Sequence, residues 1–226
     1  MIIKICGFTN ADDARFAINA GADWVGLNMV RGPRRIDEGS VVAILDQLPD
    51  RARAVVLLEV GADGTWRSTV GRLRARSVTR VQLYGDVTAE VIREIEDEGI
   101  TSIVARGVDD GASLMAIDAW VATCEPAPPK YLLADAADSK RWGGTGQRID
   151  WELLRRGLTE DRRRRWPAVI LAGGLTPHNV AEAIRNVSPA GVDVCSGVES
   201  QPGRKDHLKV GAFIAAARRS APGGLG

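Results

Sequence analysis

Short β-branched runs separated by longer amphipathic stretches recur from one end of this chain to the other. That alternation points to parallel strands joined by crossover helices rather than to hairpins. Eight strands are expected, at Ile2–Cys6, Trp24–Asn28, Ala54–Glu59, Arg80–Tyr84, Ser102–Arg106, Tyr131–Asp135, Ala168–Ala172 and Gly191–Cys195. An open doubly wound sheet has the same alternation. A count of eight in 226 residues, close to the roughly 250 typical of an eightfold barrel, selects an α/β fold built as one (β/α)₈ TIM barrel over residues 1–226.

Helix punctuation falls where the crossovers need it. Thr9 precedes an acidic first turn at Asp12 and Asp13, and Gly21 follows the last apolar residues, so a first helix is bracketed between them. Further helices are expected from about Ser40 to Leu48 before Pro49, near Trp66–Arg76, from Thr88 to Glu98 before Gly99, and near Ser113–Cys124, Trp151–Arg156 and His207–Arg218. One more is expected to open at Thr176-Pro177, a cap followed by proline at the first helical position. Residues 219–226 are expected to form a frayed tail.

Composition narrows the partners. The 30 basic and 29 acidic residues leave a formal charge of +1, so no broad field draws nucleic acid or an anionic membrane, and an anionic ligand must be gripped locally. Arg162–Arg165 reads as a solvated connector before the seventh strand. Three cysteines, Cys6, Cys124 and Cys195, lack the paired spacings of zinc or redox motifs and fit a disulfide framework poorly. No export signal or run of ~20 apolar residues is visible. A cytoplasmic protein is expected, with no metal and no membrane or nucleic-acid partner. Monomer and homodimer both stay open.

In an eightfold barrel, function gathers at the carboxyl ends of the strands. With a side-chain period of two, Lys4 and Cys6 share one face of the first strand while Ile3 and Ile5 share the other. The apolar pair should face the helices. Cys6 would then sit at the rim above an inward lysine that needs a partner. By position alone Cys6 could equally be a small core residue. The sixth strand ends in Asp135, and Asp138 follows in the loop as a rival acid. A thiol and a carboxyl at two strand ends could move protons to and from a bound substrate. Gly173-Gly174 after the seventh strand and Ser196-Gly197 after the eighth occupy the usual phosphate cup of this fold. Gly143–Gly146 adds a third glycine-rich turn, beside Trp142, and Arg31, Arg34 and Arg35 after the second strand could pair with a carboxylate.

These blocks resemble a known family. Lys4-Ile-Cys-Gly7, Gly26-Leu-Asn-Met with Gly32-Pro-Arg34, Val81-Gln-Leu83 with Gly85, Gly143–Gly146 with Asp150-Trp151, Leu171–Leu175 with Pro177 and Asn179, and Val192-Asp-Val with Ser196–Glu199, Pro202-Gly203 and Lys205-Asp206 are similar, in order and spacing, to phosphoribosylanthranilate isomerase of tryptophan biosynthesis. The resemblance implies an Amadori rearrangement of N-(5-phosphoribosyl)anthranilate to 1-(2-carboxyphenylamino)-1-deoxyribulose 5-phosphate without cofactor. It makes Cys6 the general base, Asp135 the general acid and Arg34 the holder of the anthranilate carboxylate. Gly173, Gly174, Ser196 and Gly197 would hold the phosphate, and Asp193 would approach the ribose. Lys4 or the phosphate-cup dipoles are expected to favour thiolate at Cys6.

Three positions depart from the family pattern: Tyr84 stands where histidine is usual, Gly32 where serine often precedes Pro-Arg, and Ala134 intervenes before the acid. The last leaves Asp135 and Asp138 both open. The alternatives to the isomerase are a related barrel acting on another phosphorylated sugar or aryl amine, and a catalytically silent barrel that binds a phosphorylated ligand.

Overall fold

A computed structural model describes residues 1–136 and 150–221. Strands β1 (Ile2–Cys6), β2 (Trp24–Asn28), β3 (Ala54–Val60), β4 (Arg80–Gly85), β5 (Thr101–Val108), β6 (Tyr131–Ala136), β7 (Ala168–Leu171) and β8 (Gly191–Val194) form a closed parallel barrel in chain order, β8 pairing with β1. All eight expected strands are present. β5, expected over Ser102–Arg106, is the longest of them at eight residues, because pairing to β4 and β6 extends it at both ends.

Helices α1 (Ala11–Asn19), α2 (Glu38–Leu45), α3 (Thr65–Arg74), α4 (Ala89–Asp97), α5 (Gly111–Thr123), α6 (Trp151–Gly157), α7 (Glu160–Arg165), α8 (Val180–Val187) and α9 (His207–Ser220) surround it. Several starts differ from expectation. Asn10, not Thr9, caps α1 by accepting the Asp13 amide, since the Thr9 hydroxyl is bonded to the Gly203 carbonyl instead. Asp37 caps α2, which begins at Glu38, two residues before Ser40. Thr176-Pro177 opens a turn rather than a helix, and α8 begins only after Asn179, whose amide is spent on Gly174 and Thr176. The arginine run at 162–165 is itself helical in α7, with Arg162 paired to Asp118. Ser220 still belongs to α9, and residues beyond Ala221 lie outside the described ones.

An antiparallel hairpin of β9 (Glu199–Gln201) and β10 (Arg204–Lys205) follows β8. The alternating pattern did not anticipate it, although Pro202-Gly203 is a turn dipeptide. The core has two parts. Ile3, Ile5, Val25, Leu27, Val56, Leu58, Leu132 and Ala134 meet the helices, while Cys6, Val55, Leu57, Ile103, Ala105, Leu133, Ile170 and Ala172 fill the barrel. The strand period of two therefore sorts each strand between a helix-facing and an inward side. Among the described residues no helix is long and apolar enough to cross a membrane.

Candidate active site

Lys4 points into the barrel with no exposed surface. A charge there is tolerated only with a partner, and β8 supplies one: Lys4 pairs in register with Asp193, and its Nζ donates to Asp193 Oδ1 at 2.8 Å. The next inward residue along β1 is Cys6, opposite Gly26 of β2. A Cβ at Gly26 would lie 2.6 Å from the Cys6 Sγ, so only glycine leaves room for the thiol.

Burial dominates the Cys6 thiol and pushes its pKa up, with Lys4 and Lys205 drawing it back only in part and Asp193 opposing them. The expectation that Lys4 favours thiolate is thereby corrected: the lysine acts in the expected direction, but desolvation outweighs it, since Lys4 is already neutralised by Asp193. Cys195, also at this end of the barrel, is pushed by burial up to about 12.

Across the barrel, Asp135 lies on the inward side of β6 and Ala134 on the helix-facing side, buried in the outer core. The same alternation places Asp135, and not Ala134, at the mouth. Burial, then the nearby Asp193 charge, raises its pKa to about 6, against the pull of the Ala136 amide and Lys4. That amide donates to Asp135 Oδ1 at 2.8 Å. Asp138, Trp142 and Gly143–Gly146 lie outside the described residues. Tyr84, at the end of β4, projects into the same space; its hydroxyl accepts a bond from Gln82 Nε2 at 2.6 Å, and burial raises its pKa well above the ordinary value.

The glycine turns close one side of the mouth. Gly173 and Gly174 have φ of +86° and +63°, left-handed conformations that suit glycine. A Cβ at Gly173 would meet the Ala136 amide nitrogen at 2.9 Å and Asp135 Oδ1 at 3.2 Å, so the turn packs against the acid. Gly197 has a different reason: a Cβ there would lie 1.9 Å from the Leu175 carbonyl oxygen, because the loops after β7 and β8 press together. Ser196 lines the mouth with Gly173 and Gly174, whereas Gly197 is not among the lining residues and packs against Leu175.

Arg34 comes from the loop after β2 and also lines the mouth. Its Nε and Nη2 donate to Glu199 at 3.2 and 2.6 Å. Glu199 in turn accepts from Lys205 Nζ at 2.9 Å and the Gly203 amide at 3.2 Å. Burial opposes its charge, yet the bonds from Arg34 and the charge of Lys205 hold its carboxyl below the ordinary range. Glu199 and Lys205 were visible in sequence only as motif members without a role. No periodicity could have joined Glu199 to an arginine 165 residues away.

Cys6, Asp135, Arg34, Asp193, Gly173, Gly174 and Ser196 thus border one mouth at the carboxyl ends of the strands, opening onto about 750 Å³ of atom-free space that is continuous with solvent. A thiol and a protonatable carboxyl face this space beside backbone turns and a guanidinium. Such a set can transfer protons on a substrate that carries anionic groups at its ends.

A family model described as N-(5'phosphoribosyl)anthranilate (PRA) isomerase matches residues 3–216. N-(5'-phosphoribosyl)anthranilate isomerase of Magnetococcus marinus is 41% identical over 98% of this chain and 97% of its own length. That of Trichlorobacter lovleyi is 38% identical over 96% and 98%. Among solved structures, phosphoribosyl anthranilate isomerase from Thermotoga maritima superposes with a TM-score of 0.77 at 32% identity, covering 96% of this chain and 98% of that one. Another, solved with reduced 1-(o-carboxyphenylamino)-1-deoxyribulose 5-phosphate, gives 0.75 at 30% identity over the same shares.

Proposed function

The chain belongs to the phosphoribosylanthranilate isomerase family, and from that premise we propose that Cys6 is the general base and Asp135 the general acid of its rearrangement. The reaction converts N-(5-phosphoribosyl)anthranilate to 1-(2-carboxyphenylamino)-1-deoxyribulose 5-phosphate in tryptophan biosynthesis.

Asp135 gives its proton to the ring oxygen as the bond to C1 breaks, leaving an iminium conjugated to the aromatic amine. That iminium acidifies the C2 hydrogen, and the Cys6 thiolate removes it, leaving an enol amine that becomes the ketone when C1 is protonated. The observation that carries this reading is a pair of proton-transfer groups at two strand ends facing one mouth, with the acid raised to about 6 by burial. A carboxyl of ordinary strength would hold almost no proton near neutrality; this one keeps a usable fraction.

The substrate's two anionic ends have fitting partners. Arg34 receives the anthranilate carboxylate. The turns at Gly173, Gly174, Ser196 and Gly197 hold the phosphate, with Gly197 shaping the cup by packing against Leu175. Asp193, anchored by Lys4, lies near enough to the mouth to meet the ribose hydroxyls. The ligand bound to the solved relative, a reduced carboxyphenylamino deoxyribulose phosphate, carries both a carboxylate and a phosphate, which supports this division of the mouth.

Following the loss of phosphoribosylanthranilate fluorescence tests the roles. Wild type turns over, while Cys6→Ala and Asp135→Asn each lose at least about 10²-fold in kcat. Full activity in Asp135→Asn would remove the acid role from that residue.

A further inference from the structure

Glu199 stands outside the proton-transfer pair, in the hairpin after β8, yet it is the residue that grips Arg34. Its carboxylate takes the guanidinium edge-on through Nε and Nη2, the two-point geometry that fixes both the position and the plane of an arginine. Glu199 is itself immobilised: Lys205, whose side chain is fully buried, donates to it and to the Cys195 carbonyl, and the Gly203 amide donates to the same carboxylate oxygen. The hairpin is tied to the start of the barrel by Thr9 on the Gly203 carbonyl at 2.6 Å and by Asp13 on the Lys205 amide at 2.9 Å. A chain of buried bonds thus runs from the first βα loop, through the hairpin, to an arginine at the rim of the mouth.

We propose that Glu199 is a positioning residue for Arg34, holding its guanidinium in the orientation that receives the carboxylate of the substrate's aromatic ring. The inference rests on the reading of Arg34 given above and deepens it. A long arginine side chain in a loop ordinarily samples many rotamers, and ordering it on binding weakens affinity. Here that ordering is already complete before substrate arrives. Stability alone does not require the arrangement, because an apolar cluster of similar volume stabilises a protein as well as a buried ion pair or better. The choice of an ion pair whose arginine also borders the mouth therefore points to a function at the mouth.

The test is a double-mutant cycle of Glu199→Gln and Arg34→Ala, reading KM and kcat for phosphoribosylanthranilate and inhibition by inorganic phosphate. Glu199→Gln is expected to raise KM about tenfold while kcat and the phosphate inhibition constant each change by less than about twofold. In the Arg34→Ala background the same substitution should add less than about twofold to KM. An unchanged KM in Glu199→Gln overturns the inference. So does an undiminished effect in the Arg34→Ala background, or an equal loss of phosphate binding, which would mean general collapse of the mouth. If Arg34→Ala alone leaves KM unchanged, the carboxylate role of Arg34 fails first and the inference with it, a pattern distinct from failure of Glu199 alone. Should Glu199→Gln not fold, Glu199→Asp replaces it; this keeps the charge but shortens the reach, and should raise KM by a smaller factor, no rise being again contrary.

Discussion

Lys4 and Asp193 meet at one register position of the β1 and β8 pair and close a 2.8 Å ion pair inside the barrel. This contact joins the first strand to the last and lies beneath the mouth, so it bears on barrel closure and on the charge felt by Cys6 together. Lys4→Met leaves a buried carboxylate without its cation. It should lower the unfolding free energy by about 3 kcal/mol, measured by urea denaturation, and Asp193→Asn added to it should restore part of the loss. Additive losses from the two changes would contradict a direct coupling.

The raised pKa of Asp135, about 6, has a sign that can be checked. Its folded value exceeds the unfolded one, so the folded state gains nothing from it below pH 4, where both states are protonated. Stability is lost as pH rises through about 6. Asp135→Asn should therefore be more stable than wild type at pH 7, by about 3 kcal/mol, with the advantage gone at pH 4. Urea unfolding at the two pH values measures this; equal differences at both would show that the carboxyl is not strained.

Catalysis should carry the same signature. The productive form needs Cys6 ionised and Asp135 protonated, although the thiol has the higher pKa of the two. The fraction in that form is constant between the two values. kcat/KM should thus be flat from about pH 6 to the raised thiol pKa and fall about tenfold per unit beyond either end. A narrow optimum near neutrality would be inconsistent with this pair of groups.

Alkylation separates the thiols. Iodoacetamide modification of Cys6, followed by mass spectrometry across pH, should titrate above the value of an ordinary free thiol, because burial outweighs Lys4. Lys4→Met should move it higher still. Cys195, held up to about 12, should react only slowly at pH 8. A Cys6 titration at or below about pH 8 would mean that the lysines prevail over desolvation.

Gly197 tests the cup by packing alone. Alanine there drives a methyl into the Leu175 carbonyl, so the loops after β7 and β8 must part. Gly197→Ala should lower stability by about 1–3 kcal/mol and weaken inhibition by inorganic phosphate, while Gly39→Ala, at an exposed helix position with only the Asp37 carboxylate nearby, should change neither.

While Asp193 entered only through the family resemblance, the chain's alternation together with its count of eight strands pointed to the barrel, the inward side of β1, and Cys6 and Asp135 as strand-end groups. These are local properties: side chains alternate along a strand, and a crossover helix leaves its mark in caps and apolar spacing whatever the partner strands are. Even the departure at Ala134 follows from that alternation once β6 is known to run through Ala136. Three things were decided only by the closed tertiary structure. The hairpin at Glu199–Lys205 brings a carboxylate to an arginine 165 residues away, and no local pattern encodes a contact of that span. The start of α8 is set by Asn179 bonding back to Gly174 and Thr176, which displaced the cap expected from Thr176-Pro177. The thiol of Cys6 depends on how much water the barrel excludes and on whether Lys4 is already paired, and both follow from β1 lying beside β8.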